Sequence, residues 1–257
     1  LMLSGGGSLG PFHLGVARAL WEQHLLQDVI SGSSAGAFVA AIMGTHTDRE
    51  LHQLLTSEDV PVVGNTTVGK QLTIGDVREA VADLVPDMTF QDAFDHTGRM
   101  INISIAPSEL HQTSRLMNAI TSPNVFIREA VLASCAIPGV FPPVMLAARD
   151  AQGKRKPYLP ARRWVDGSVT DDLPAKRLTR LYGVNHFITS MINPIVLWSV
   201  RDPDMSGSLL QRVWDIGQRA NKEFLRATYP LAMRTWRRVY PANVALRFLY
   251  AVATQDY

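Results

Sequence analysis

Gly32-Ser33-Ser34-Ala35-Gly36 is a G-x-S-x-G pentapeptide. That spacing suits a nucleophile, because a serine on a tight strand-to-helix turn projects its hydroxyl away from the sheet. Glycine stands on either side because a side chain there would collide with the neighbouring strand or helix. The helix N-terminus behind the hydroxyl favours negative charge developing nearby. The same five residues could also be a glycine-serine loop that merely caps a helix. Their context favours chemistry: the apolar run Asp28–Ser31 precedes them and the apolar stretch Ala37–Met43 follows. Ser34 is the candidate nucleophile, Gly32 and Gly36 its elbow glycines, and Ser33 a structural neighbour in the wrong register.

A second turn, Ser4-Gly5-Gly6-Gly7-Ser8-Leu9-Gly10, lies between the apolar start of the chain and a helical stretch over Pro11–His24. Amides of Gly5, Gly6, Gly7, Ser8, Leu9 and Gly10 could hold an oxyanion. They could equally cradle a phosphate. Gly5, Gly7 and Gly10 satisfy G-x-G-x-x-G, and Asp28 follows near the distance that a dinucleotide fingerprint requires. In that fingerprint the acid closes the second strand. Here Asp28 opens it, and the strand ends in the serine pentapeptide, so a nucleotide-binding module is the weaker reading. Gly64–Lys70 spells a G-x4-G-K, but Gln71 follows where a magnesium-binding hydroxyl belongs.

A serine needs a base. The only histidine after His111 is His186, in the apolar run Asn185-His186-Phe187-Ile188, where a core or sheet-edge role is expected. His13 is expected to brace the glycine turn. Trp164-Val165-Asp166-Gly167-Ser168 offers an alternative. An aspartate closing a strand, with glycine in the turn behind it, can present its carboxylate directly to a serine. Burial beside the site would raise its pKa toward that of a useful base. Alone, Asp-Gly is a common turn pair.

These groups need a scaffold that brings three turns together. The alternation of short apolar runs, turns and helical stretches predicts an α/β fold, with a mostly parallel sheet and helices on both faces. Amphipathic spacing marks helices over Asp48–Leu55 and Ile74–Leu84, Ile127–Cys135 reads as a helix stopped by Pro138-Gly139, and Lys176–Tyr182 as another. Met100–Ile105 and His186–Ile192 read as strands, and 57–75 and 151–160 as loops. Beyond Asp204 the pattern turns to long helical stretches broken by Pro230 and Pro241. The organisation expected is a catalytic core over 1–200 and a C-terminal helical extension over 201–257.

With 257 residues, 46% hydrophobic and 19% charged, the chain can bury a sizeable core. A single cysteine, Cys135, excludes an internal disulfide and any multi-cysteine metal site. The net charge of +2 gives no reason to expect nucleic acid. No apolar run is long enough to span a bilayer, and no leader precedes the glycines, so a cytoplasmic location is expected. From Arg201 onward, nine Lys/Arg face five Asp/Glu, interleaved with Trp214, Phe224, Trp236, Phe248 and Tyr250. Such stretches can lie on a membrane or lipid-droplet surface, or form a helical cap or homodimer face.

The glycine turn, the serine elbow and Asp166-Gly167-Ser168 together resemble the patatin-like phospholipase family. Ala133–Pro143, the turn ahead of the acid strand, is similar to the family too. The likeness covers roughly residues 1–193. Ser31–Ser34, Thr121–Val125 and Val165–Pro174 look closest to its triacylglycerol-lipase-like branch. Two departures stand out: Leu9 where many members carry Arg or Lys, and Ser168 where Gly or Ala is usual. The resemblance implies a three-layer α/β/α domain and a Ser34/Asp166 catalytic dyad. It further implies an oxyanion hole in Gly5–Gly10, no metal or cofactor, and a glycerolipid substrate. Transfer of the acyl group to water or to another lipid alcohol fits the same residues.

Overall fold

The computed structural model describes residues 1–56, 73–109, 113–138, 140–168 and 172–192. The expected C-terminal extension, the Gly64–Lys70 loop and His111 lie outside them. Within Leu1–Ile192, which form one compact unit, a strand β1 (Met2–Leu3) runs parallel to β2 (Val29–Gly32) on one side and to β8 (Thr189–Ser190) on the other. Next to β2, also parallel, is β3 (Met100–Pro107). Two short antiparallel strands, β4 (Arg115–Met117) and β7 (Trp164–Asp166), complete the sheet on β3. The order is β4-β3-β2-β1-β8, and β7 shares β3 with β4.

The register on β3 determines where the acid lies. Gly32, the last residue of β2, pairs with Ile103, so β3 continues past the end of its neighbour. That overhang carries β7, which runs backward from Trp164 opposite Pro107 to Asp166 opposite Ile105. Asp166 therefore stands about 7 Å beyond the end of β2 along the sheet, at the level of the serine turn.

The pleat alternates faces, and the two sides of the sheet are packed differently. On one side Leu3 and Ile30 pack with Ala17 of α1 (Gly10–Glu22), with Val39, Ala40 and Met43 of α2 (Ala35–Thr45), and with Leu51 and Leu55 of α3 (Asp48–Thr56). Ile101, Ile103 and Ile105 extend the same side against α4 (Ile74–Leu84), α5 (Phe90–Thr97) and α6 (Ile127–Ser134). On the opposite side Met2 and Leu116 meet Leu178 of α7 (Ala175–Tyr182). Helices thus cover both faces, as the expected three-layer α/β/α arrangement requires. Helix α2 carries no charged side chain and is buried nearly all round, which places it at the centre of the core.

The structure departs from expectation in three places. Residues 151–160 are not simply a loop: β5 (Ala147–Arg149) and β6 (Arg155–Pro157) form a hairpin closed by Gly153 at φ 79°. The sequence Arg155-Lys156-Pro157 is exposed throughout, so no alternation marks it as strand. Second, α5 arises from a capping box, in which Thr89 and Asp92 satisfy each other's backbone N–H groups. Third, His186 is neither in the core nor at a sheet edge. The strand there is only Thr189–Ser190, and His186 is exposed on the segment before it, beside Asn185 Oδ1.

Candidate active site

Ser34 sits at the N-terminus of α2 with φ 51° and ψ −119°, a conformation that β-carbon sterics disfavour. A side chain held there despite the strain is usually held for a purpose. Several contacts hold the turn in this shape. The Ser34 amide donates to Ser134 Oγ at 2.8 Å, and the Ser134 hydroxyl donates to the Ser104 carbonyl of β3 at 2.8 Å. The amides of Ala37 and Phe38 donate to the Ser34 carbonyl. The two elbow glycines make the close approaches expected of them. A Cβ on Gly32 would lie 2.2 Å from the Gly36 carbonyl oxygen, and one on Gly36 would lie 2.3 Å from that of Leu3. Ser33 is fully buried, its hydroxyl donating to the Asp172 carbonyl at 3.0 Å.

Asp166 is 2% exposed, and the Ser34 side chain is near enough to its carboxylate to favour the ionised form. Burial pushes its pKa up to about 6, and hydrogen bonds from the Ser168 amide and hydroxyl, together with the nearby Ser34 side chain, hold the rise in check. The Ser168 amide lies 2.8 Å from Asp166 Oδ1. The Asp166 amide donates to the Ala136 carbonyl at 3.0 Å, which fixes the strand end against the turn after α6. Behind the aspartate Gly167 passes so close to β3 that a Cβ would come within 2.5 Å of the Ser104 carbonyl oxygen. The arrangement sets a serine hydroxyl beside a buried carboxylate of raised pKa. Among the described residues no histidine hydrogen-bonds to either group. Cys135 is close by, its thiol 3.5 Å from the Ser34 carbonyl, but burial and then the Asp166 charge raise its pKa and keep it protonated.

The glycine turn leads from β1 over the same end of the sheet. Its amides are not equivalent. Gly5 N–H donates to Asp172 Oδ1 at 2.7 Å. Leu9 N–H donates to the Gly6 carbonyl and Gly10 N–H to that of Gly7, in a single 3-10 turn over Gly7–Leu9. The amides of Gly6 and Gly7 have no acceptor among the described residues. Of the six residues expected to donate, Gly5, Leu9 and Gly10 have their amides engaged within the protein, which leaves the middle of the turn for a ligand. Gly10 abuts the elbow, since a Cβ there would lie 3.1 Å from Ala35 Cβ.

His13 braces this turn, as expected. It is fully buried, with Nε2 2.8 Å from the Ser4 carbonyl and Nδ1 2.7 Å from Ser190 Oγ. A carbonyl only accepts, so Nε2 carries the proton, and in the neutral ring Nδ1 accepts from the serine hydroxyl. Burial lowers the His13 pKa and favours that neutral form. Ser134, Ser104 and Asp172 are supports that the sequence did not single out. They lie far from their partners in the chain, and no local pattern marks them.

The patatin-like phospholipase family model matches residues 1–179. The chain is 40% identical over 220 residues to triacylglycerol lipase SDP1L of Arabidopsis thaliana, covering 76% of this chain and 27% of that protein. It is 39% identical over 217 residues to triacylglycerol lipase 4 of Saccharomyces cerevisiae, covering 75% and 24%. A patatin-like phospholipase domain-containing protein of Emericella nidulans is 39% identical over 207 residues, covering 76% and 28%. The chain thus spans about a quarter of the length of these relatives.

Proposed function

Because this chain belongs to the patatin-like phospholipase family, we propose that it hydrolyses fatty-acyl esters of glycerolipids through a Ser34–Asp166 dyad. The observation that carries the reading is the strained Ser34 at the tip of its turn with the buried Asp166 carboxylate beside it. A carboxylate with a pKa of about 6 is largely ionised at neutral pH, yet basic enough to take a proton. Ser34 Oγ attacks the ester carbonyl as Asp166 accepts its proton. The amides of Gly6 and Gly7 stabilise the oxyanion. The intermediate collapses to an acyl-serine, and the departing alcohol takes the proton from Asp166. Water, deprotonated by Asp166, then attacks the acyl carbonyl, and the fatty acid leaves as Ser34 regains a proton.

Two observations support a lipid substrate. Relatives of this chain are named triacylglycerol lipases. Leu9 in the glycine turn, Phe12 in the first turn of α1 and Val140 beyond α6 are exposed apolar side chains on the segments that adjoin the site. They suit an ester presented from a membrane or lipid-droplet surface. No helix among the described residues is long and apolar enough to cross a membrane, and the expected contact with lipid is peripheral.

The test is hydrolysis of a p-nitrophenyl ester by wild type, Ser34→Ala and Asp166→Asn, with folding checked by circular dichroism. Both folded variants should lose activity by at least about a thousandfold. Activity that survives Ser34→Ala would place the nucleophile elsewhere. Product analysis with an added lipid alcohol then separates hydrolysis from acyl transfer.

A further inference from the structure

Asp172 meets all three turns of the site. It is 4% exposed and follows the acid turn in the chain. Its Oδ1 accepts the Gly5 amide at 2.7 Å, and its own carbonyl accepts the Ser33 hydroxyl at 3.0 Å. Gly5 in turn rests on the acid turn, where a Cβ would come 3.0 Å from Ser168 Cβ. One residue therefore ties the first glycine of the turn, the neighbour of the nucleophile, and the segment that carries the base.

Three consecutive glycines have more backbone freedom than any other tripeptide. Donors to an oxyanion must nonetheless stand within hydrogen-bond reach of an atom that exists only in transit. The 3-10 turn over Gly7–Leu9 fixes the far end of the loop. The near end is fixed by a side chain, because Gly5 spends its amide on Asp172. We infer that Asp172 is a positioning residue for acyl transfer, holding Gly5 so that the amides of Gly6 and Gly7 face the reacting carbonyl. The inference rests on the reading of this loop as the oxyanion hole. It assigns Asp172 no proton transfer, only the placement of donors.

The experiment compares the whole chain with Asp172→Ala, Asp172→Asn and Asp172→Glu. Asn keeps an acceptor oxygen at the same reach. Glu keeps the carboxylate but displaces it by one methylene in a buried site. In Asp172→Ala, kcat on a p-nitrophenyl ester should fall by roughly ten- to a hundredfold with KM changed by less than about twofold, because donors lost in the transition state leave ground-state binding alone. Asn should retain more kcat than Glu. Hydrogen exchange at the Gly5 amide, followed by NMR with labelled glycine, should accelerate in the Ala variant and not in the Asn variant.

A kcat for Asp172→Ala within about twofold of wild type, where one lost donor costs far more, overturns the inference. Unchanged Gly5 exchange in that variant overturns it as well, and so does a Glu variant faster than Asn. If Asp172→Ala does not fold, the order of Asn and Glu and their Gly5 exchange decide. A wild-type chain without Ser34-dependent hydrolysis overturns the enzymatic reading and this inference with it. Ser34-dependent hydrolysis that ignores Asp172 overturns this inference alone.

Discussion

Ionisation of Asp166 is costly where the side chain is buried. Its pKa in the folded chain is about 6, against 3.8 for an ordinary aspartate. A raised acid binds its proton more tightly folded than unfolded. The stabilisation this gives is complete below pH 4 and is lost as pH rises through 6. Two pH units correspond to about 3 kcal/mol. Asp166→Asn should therefore raise stability at pH 8 by about 1–3 kcal/mol, with the gain gone at pH 4. Urea denaturation at the two pH values checks this, and an equal effect at both would mean that the carboxylate is not strained by burial. For the wild type, kcat/KM should rise with pH to a plateau above the same pKa, since in the proposed mechanism the carboxylate takes the Ser34 proton. Ser34 and Asp166 were legible in the sequence because each sits in a short, characteristic turn. Asp172 was not, because its partner Gly5 is 167 residues away and a long-range hydrogen bond leaves no mark on local spacing.

At the scale of elements, the turns are shaped by what passes close behind them. Gly36 and Gly7 separate two ways of needing a glycine. At Gly36 a methyl group would meet the backbone of β1, which cannot retreat without breaking its pairing with β2. Gly7 has open space around it but φ 55°, which costs a side chain only through its own backbone. Gly36→Ala should lose at least about 2–3 kcal/mol of stability, and Gly7→Ala about 1 kcal/mol. Denaturation curves giving the reverse order would contradict the packing described. Helix α2 was readable because it is apolar over its whole length. The β5–β6 hairpin and the three-residue strand β4 were not, since neither length nor alternation distinguishes them from loop, whereas β7 was expected as the short strand that Asp166 closes.

At the scale of the molecule, both major apolar clusters draw on α2, and the parallel strands lie between covered faces. Amides of β2 and β3 should exchange only when the whole unit unfolds, whereas those of the exposed β5–β6 hairpin should exchange through local opening. Peptide-resolved hydrogen exchange over 100–107 and 150–157 tests this, and equal rates in the two would contradict it. The parallel sheet was foreseeable from the alternation of strands and helices, but the overhang of β3 was not, because register appears only when strands are paired. That overhang has a consequence during synthesis. Ser34 and the glycine turn emerge well before Asp172, which closes the acid segment 139 residues after Ser33. A ribosome adding roughly 5–20 residues per second takes on the order of ten seconds to cover that distance. Until β7 docks, Ser34 has no Asp166 beside it, so a dyad of these two residues would gain its activity only once this unit has closed.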